Sequence, residues 1–78
     1  MVKAYVLIET EGRDPHIIAN DLMNVDEVEN AHLIYGEYDL IAYVNGKTLV
    51  DLKELALGKI GKIKGVIKTS TLIVADED

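Results

Sequence analysis

The chain has 78 residues, a formal net charge of −6 and a hydrophobic content of 49%. This length predicts one domain, residues 1–78, and the acidic charge argues against direct binding to a nucleic-acid backbone, which needs a basic surface. The absence of cysteine excludes disulfides and thiolate metal sites. No signal peptide and no run approaching the roughly 20 apolar residues of a membrane span is present, which predicts a cytoplasmic protein without a membrane partner.

The first half of the chain predicts a strand, a helix and a second strand. Residues 2–9 are rich in β-branched and aromatic side chains, which favours a strand. Asp14 and Pro15 are typical of a helix start, because the carboxylate can accept from free N–H groups and proline needs no donor at the first position. We therefore predict a helix over residues 15–23 and a second strand over residues 28–35.

The second half predicts a strand, a helix and a strand. Residues 40–44 form the third strand, after a two-residue loop in which Gly36 is the first residue. Thr48 and Asp51 predict a capping box at the start of the second helix, and Gly58 and Gly61 predict a weak end that breaks near Gly61. The apolar stripe of this helix is Leu49, Leu52, Leu55, Ala56, Ile60 and Ile63. Residues 66–74 form the fourth strand, followed by an acidic tail, residues 75–78.

This order of elements, βαββαβ, predicts a ferredoxin-like α+β fold. In this fold, one four-stranded antiparallel sheet carries both helices on the same face. The open face of such a sheet normally carries polar side chains at alternate positions. Here the outward positions of strands one and three are also apolar: Tyr5, Leu7, Ile41 and Tyr43. An apolar face of this extent indicates an interface, so we predict a homodimer packed through its sheets, although scattered surface apolar residues are a common alternative.

The candidate binding residues lie in the turn before the third strand and in the middle of the fourth strand. Gly36 allows close backbone approach, Asp39 offers a fixed acceptor, and Thr69 and Thr71 place two hydroxyls on one strand face. Such groups suit a zwitterion, whose ammonium needs acceptors and whose carboxylate needs donors. The alternative is turn capping by Asp39 and simple β-propensity of the threonines. No paired metal spacing and no phosphate-binding or dinucleotide motif is present, so we expect no metal and no cofactor.

Three segments together resemble a known family. They are VKAYVLIE, the hairpin YGEYDL with its G-x-Y-D pattern, and IKGVIKTSTLIV with its G-V-x-x-T-x-T pattern. Their order and spacing are similar to the effector-binding domain of the Lrp/AsnC transcriptional regulators, also called the RAM domain. The resemblance extends over residues 2–74.

The resemblance implies a ferredoxin-like domain that dimerises through its sheet in a dimeric α+β barrel-like assembly and forms larger oligomers such as an octamer. Amino acids or similar small effectors would bind between dimers. By this resemblance, Asp39 would accept from the α-ammonium, and backbone N–H groups near Gly36 would meet the α-carboxylate. Tyr35 would form a wall. The ligand-binding residues implied are Tyr35, Gly36, Tyr38, Asp39, Thr69 and Thr71.

The full-length regulators of this family carry a helix-turn-helix domain, for which 78 residues leave no room. We therefore expect a stand-alone sensing domain, not an enzyme, that modulates transcription indirectly with full-length Lrp/AsnC-type regulators. One alternative is a small dimeric α+β-barrel enzyme of monooxygenase or isomerase type, which needs a buried acid or base in a pocket between sheet and helices; only His32 could serve. Another is a structural oligomerisation module, in which Thr69 and Asp39 do not converge across any interface.

Overall fold

The computed structural model describes residues 1–75 and contains one four-stranded antiparallel sheet. The strands lie in the order β2-β3-β1-β4, and the helices pack on one face, which confirms the predicted βαββαβ fold. The predicted acidic tail lies mostly outside the described residues. The elements are β1 Val2–Thr10, α1 Pro15–Met23, β2 Val28–Leu33, β3 Leu40–Gly46, α2 Leu49–Glu54, a π-helical segment Leu55–Ile60, and β4 Val66–Ile73.

Helix α1 begins and ends where the sequence predicts. The Asp14 carboxylate accepts a hydrogen bond from the backbone N–H of His16 at 2.9 Å, and Pro15 opens the helix. Ile18 and Leu22, one turn apart, are both fully buried. Local capping and one apolar stripe are therefore sufficient to define this element.

Helix α2 also starts as predicted, but it does not continue as an α-helix. Thr48 and Asp51 form the reciprocal capping box, with bonds of 3.1 and 3.2 Å. From Leu55 onward the chain widens into a π-helix that closes with a 2.8 Å bond from the Gly61 N–H to the Ala56 carbonyl. A Cβ at Gly61 would lie 2.8 Å from that carbonyl oxygen, so glycine permits this closure. The predicted break at Gly61 is confirmed, whereas the single regular helix is wrong.

The hairpin between β2 and β3 is longer than predicted. Strand β2 ends at Leu33, and the Ile34 N–H donates to the Asp39 carbonyl at 3.0 Å, which leaves four residues in the loop. The prediction extended the strand through Tyr35 because that residue has high β-propensity, yet its side chain is fully exposed. Gly36 has φ +127°, which favours glycine.

The core lies between the helices and one face of the sheet. Its strand residues alternate along β1 and β3 as predicted, and Ile18, Leu22, Leu52, Leu55 and Ile60 cover them. The opposite face remains open in one copy: Tyr5 is 42% and Leu72 51% exposed. The rings of Tyr5 and Tyr43 pack against each other there in a tilted arrangement, with centroids 4.9 Å apart. The buried strand residues are Ala4, Val6, Ile8, Leu40, Ala42 and Val44.

Candidate functional site

The Asp39 carboxylate ties the hairpin to the end of β1. Its Oδ2 accepts from the backbone N–H of Thr10 at 2.8 Å and from the Thr10 hydroxyl at 3.2 Å. The Asp39 N–H in turn donates to the Ile8 carbonyl at 2.9 Å. Asp39 therefore serves a tertiary contact instead of capping its own turn. Within residues 1–75 its Oδ1 makes no hydrogen bond, so one oxygen of a positioned carboxylate is available.

The rest of the hairpin presents open backbone and aromatic surface. A Cβ at Gly36 would meet no atom within 4 Å, so the backbone there is accessible to a ligand. Tyr35 stands fully exposed at the tip. Tyr38 is half-buried, with the Lys68 Nζ 5.9 Å from its ring centroid, within reach of a cation–π contact.

Thr69 and Thr71 lie on the face of the sheet that the helices cover. Thr69 is opposite Ile8 and Thr71 opposite Val6, and both partners are core residues. Among the described residues, neither threonine hydroxyl has a hydrogen-bond partner. The two side chains line a groove of about 410 Å³ between β4 and the second helix, and its lining is Leu49, Leu52, Lys53, Ala56, Leu57, Thr69, Thr71 and Ile73.

One copy of the chain thus divides the predicted site residues into two groups. The hairpin group is Tyr35, Gly36, Tyr38 and Asp39, and the groove group is Thr69 and Thr71. No hairpin residue is among the residues that line the groove. The sequence predicted that the threonines share a face and that Leu49, Leu52 and Ala56 belong to one apolar stripe of the second helix. It did not indicate that this stripe and the threonines line a common groove.

The family model described as the Lrp/AsnC ligand binding domain matches residues 3–77. The chain belongs to this family. An uncharacterised HTH-type transcriptional regulator of Pyrococcus furiosus is 30% identical over 73 residues, which are 94% of this chain. The chain spans 49% of the length of that relative.

Two solved structures place this Lrp/AsnC domain among its neighbours. A hypothetical protein from Pyrococcus horikoshii is 38% identical with a TM-score of 0.86, and the match covers 99% of this chain and 93% of that one. The feast or famine regulatory protein of Mycobacterium tuberculosis, solved in complex with L-methionine, is 24% identical with a TM-score of 0.82. That match covers 99% of this chain and 52% of the other, and it shows the shared fold.

His32 of this Lrp/AsnC domain does not meet the requirement of the enzyme alternative. The residue is opposite Ile41, whose side chain lies on the open face, and the histidine itself is exposed. It therefore lies on the other side of the sheet from any pocket under the helices. The second histidine, His16, is exposed beside Asp14, where its backbone N–H and then its ring lower the pKa of the Asp14 carboxyl.

A larger cleft, about 750 Å³, lies at the opposite end of β3 and is rich in carboxylates. Two of them already have partners: Asp51 in the capping box, and Glu27, whose two oxygens each lie 3.0 Å from the Lys59 Nζ. This contact lowers the pKa of Glu27. Residues 1–75 contain no cluster of three or more potential metal ligands, and no helix there is long and apolar enough to cross a membrane. We therefore assign no functional site to this cleft.

Proposed function

We propose that this domain binds an amino acid or a similar small effector in a site that is completed where copies of the chain meet. The observation that supports this is the division of the polar groups into two half-sites. The hairpin presents the free Oδ1 of Asp39, and the groove presents two hydroxyls without protein partners. A zwitterion that bridges the two would satisfy groups that a single copy leaves open.

The hairpin half-site supplies the charge recognition. Asp39 accepts the α-ammonium through Oδ1, while its bonds to Thr10 hold the carboxylate in place before the ligand arrives. Such preorganisation reduces the entropy lost on binding. Backbone N–H groups beside Gly36 donate to the α-carboxylate, which the open space around that glycine permits. Tyr35 and Tyr38 form the adjoining walls.

Assembly brings the half-sites together. The open face of the sheet, with Tyr5, Leu7, Ile41, Tyr43 and Leu72, supports pairing through the sheets, because apolar area of this kind is stabilised by removal from water. Further association of dimers, for example to an octamer, places the hairpin of one dimer against the groove of another.

The output of this binding is regulatory and not catalytic. The relative from Pyrococcus furiosus is an HTH-type transcriptional regulator about twice as long as the matched segment. A domain that shares the interfaces of such regulators can co-assemble with them and alter transcription indirectly, without contacting DNA through its own acidic surface.

Calorimetric titration of the chain with each of the twenty amino acids tests the proposal. We expect saturable binding of at least one of them, and a loss of about tenfold or more in affinity in Asp39→Asn, which removes the charge that meets the ammonium. Asp26→Asn, an exposed aspartate outside both half-sites, is the matched control and leaves affinity unchanged. No binding by the wild-type chain at millimolar ligand contradicts the proposal.

Native mass spectrometry provides the second test, because it reads stoichiometry and ligand together. We expect ligand-bound species only among oligomers. A monomer that retains the ligand contradicts a site completed between copies.

A further inference from the structure

We infer that the π-helical segment, Leu55–Ile60, sets the shape of the groove between β4 and the second helix, and that this shape lowers the stability of the fold. Gly58 is the residue that makes the segment longer than a regular α-helix requires. The inference rests on the proposed function, because it assigns a structural cause to one of its two half-sites. It predicts that removal of Gly58 stabilises the protein and weakens effector binding.

One charged residue interrupts the apolar stripe of the second helix. Helical spacing leads from Leu52 to Leu55 and Ala56, all three of which are buried. The next position of this stripe, seven residues after Leu52, is Lys59. An α-helix would therefore place a lysine in the middle of the buried face. In the structure Lys59 is exposed, and the following residue, Ile60, is fully buried.

The π-helical segment contains one residue more than an α-helical turn, and this moves the lysine off the buried face. Its closing bond of 2.8 Å runs from the Gly61 N–H to the Ala56 carbonyl, five residues back instead of four. Gly58 has no side chain to lose, which identifies it as the additional residue. Without it, Ile60 would follow Leu55 by four residues, and the stripe would continue in a regular α-helix.

The arrangement is unfavourable for stability. Gly58 lies within the segment, where glycine is among the least favourable helix residues, and a second glycine is required at Gly61. The displaced Lys59 gains only an exposed ion pair with Glu27, which stabilises little. Native proteins break local rules mainly at functional sites, and π-helical turns occur frequently at such sites. We therefore expect the segment to have a function.

The widened part of the second helix is the part that forms the groove with β4. The regular α2 portion packs mainly on β3 and β1, whereas the π-helical segment packs mainly on β4. Ala56 and Leu57 of this segment line the groove together with Thr69 and Thr71. Leu57 is 70% exposed, so this wall leaves the groove open to a ligand. Successive residues turn further about the axis in an α-helix than in a π-helix, so a regular helix would point these wall residues in other directions.

Deletion of Gly58 tests the inference. We expect the melting temperature to rise by about 4 °C or more, because a helical glycine and the π-helical turn are both lost. Calorimetric titration with each of the twenty amino acids should show binding at least about tenfold weaker than in the wild type for the amino acid that the wild type binds most tightly. These opposite changes distinguish the inference from a structural role alone, in which the deletion would lower stability and affinity together.

Gly58→Ala is the matched comparison, because it keeps the number of residues in the segment and Gly58 does not line the groove. A Cβ there meets no atom within 4 Å, so the melting temperature should rise while the affinity stays at the wild-type value. Unchanged affinity in the deletion variant would overturn the inference and leave the proposed function standing. So would a deletion variant that is less stable than the wild type or fails to fold. Absence of binding of every amino acid by the wild-type chain would overturn the proposed function itself.

Discussion

Adjacent residues of strand β1 occupy very different environments on the two faces of the sheet. Ala4, Val6 and Ile8 lie under the helices and are at most 1% exposed, whereas Tyr5 between them is 42% exposed. Both faces carry apolar side chains, but only one is covered within a single copy. The difference teaches that alternation along a strand assigns residues to faces, while the packing of other elements decides what each face contacts.

A leucine-to-alanine substitution on each face should give the largest difference between the two faces, measured as the free energy of unfolding. Leu40→Ala in the fully buried core should lower the free energy of unfolding by about 2–5 kcal/mol, through lost burial and a residual cavity. Leu72→Ala, at a half-exposed position on the open face, should cost about 1 kcal/mol or less in the isolated chain. Urea denaturation at two protein concentrations measures both. Equal losses at low concentration would show that the open face is already covered within one copy.

A charge on the open face should weaken self-association, and this effect tests whether that face is an interface. Leu72→Lys should weaken self-association on the order of a hundredfold, because an ammonium would be buried between two apolar sheets. Sedimentation velocity measures the effect, and circular dichroism should remain unchanged. Met23→Lys, a half-exposed position on α1, is the control and should leave the oligomer intact. Unaltered sedimentation of the Leu72 variant would count against pairing through this face.

Removal of the α2 cap should test how much capping stabilises the helix that covers this face of the sheet. Thr48→Ala removes the hydroxyl that accepts from the Asp51 N–H and should lower stability by about 1 kcal/mol. Because α2 contributes Leu52 to the core, the loss should also increase hydrogen exchange in the segment that covers β1 and β3. Thermal unfolding and native-state exchange provide the measurements. Thr48→Ser keeps the hydroxyl and should behave like the wild type.

The smallest effect should come from the contact of Glu27 with Lys59, which ties the π-helical segment to the loop before β2. Lys59 holds the pKa of Glu27 below its ordinary value of 4.5, so the contact stabilises the fold above that pH and the stabilisation is lost as the pH falls through the lowered pKa. Both side chains are more than a third exposed, so we expect about 0.5 kcal/mol at most.

Urea midpoints at pH 7 and pH 3 measure this contribution. Glu27→Gln should be less stable than the wild type at pH 7, and the difference in stability should shrink as the pH falls to 3. Glu29→Gln, an exposed neighbour, should show no such convergence. Parallel pH curves for Glu27→Gln and the wild type would contradict the assignment.

The position of one residue, His32, bears on the choice between the enzyme alternative and the regulatory proposal. The sequence could not tell whether His32 faced the helices or the open side, because β2 is a short edge strand with polar residues on both faces. The pairing of His32 with Ile41 in the structure shows that it lies on the open side. The placement of Thr69 and Thr71 followed the same logic, since alternation showed that they share a face and only their pairing with β1 showed which face it is.

The sequence by itself determined the features whose causes lie within a few residues of one another. These include the Asp14 and Thr48 caps, the strand alternation, the order of elements and the motifs that carry the family resemblance. Tertiary structure alone decided the features that depend on distant partners. Thr10, the partner of Asp39, is 29 residues away, and the groove exists only because the second helix and β4 approach each other without filling the space between them. Local preferences leave such long-range pairings undetermined, because they form only when the whole chain packs.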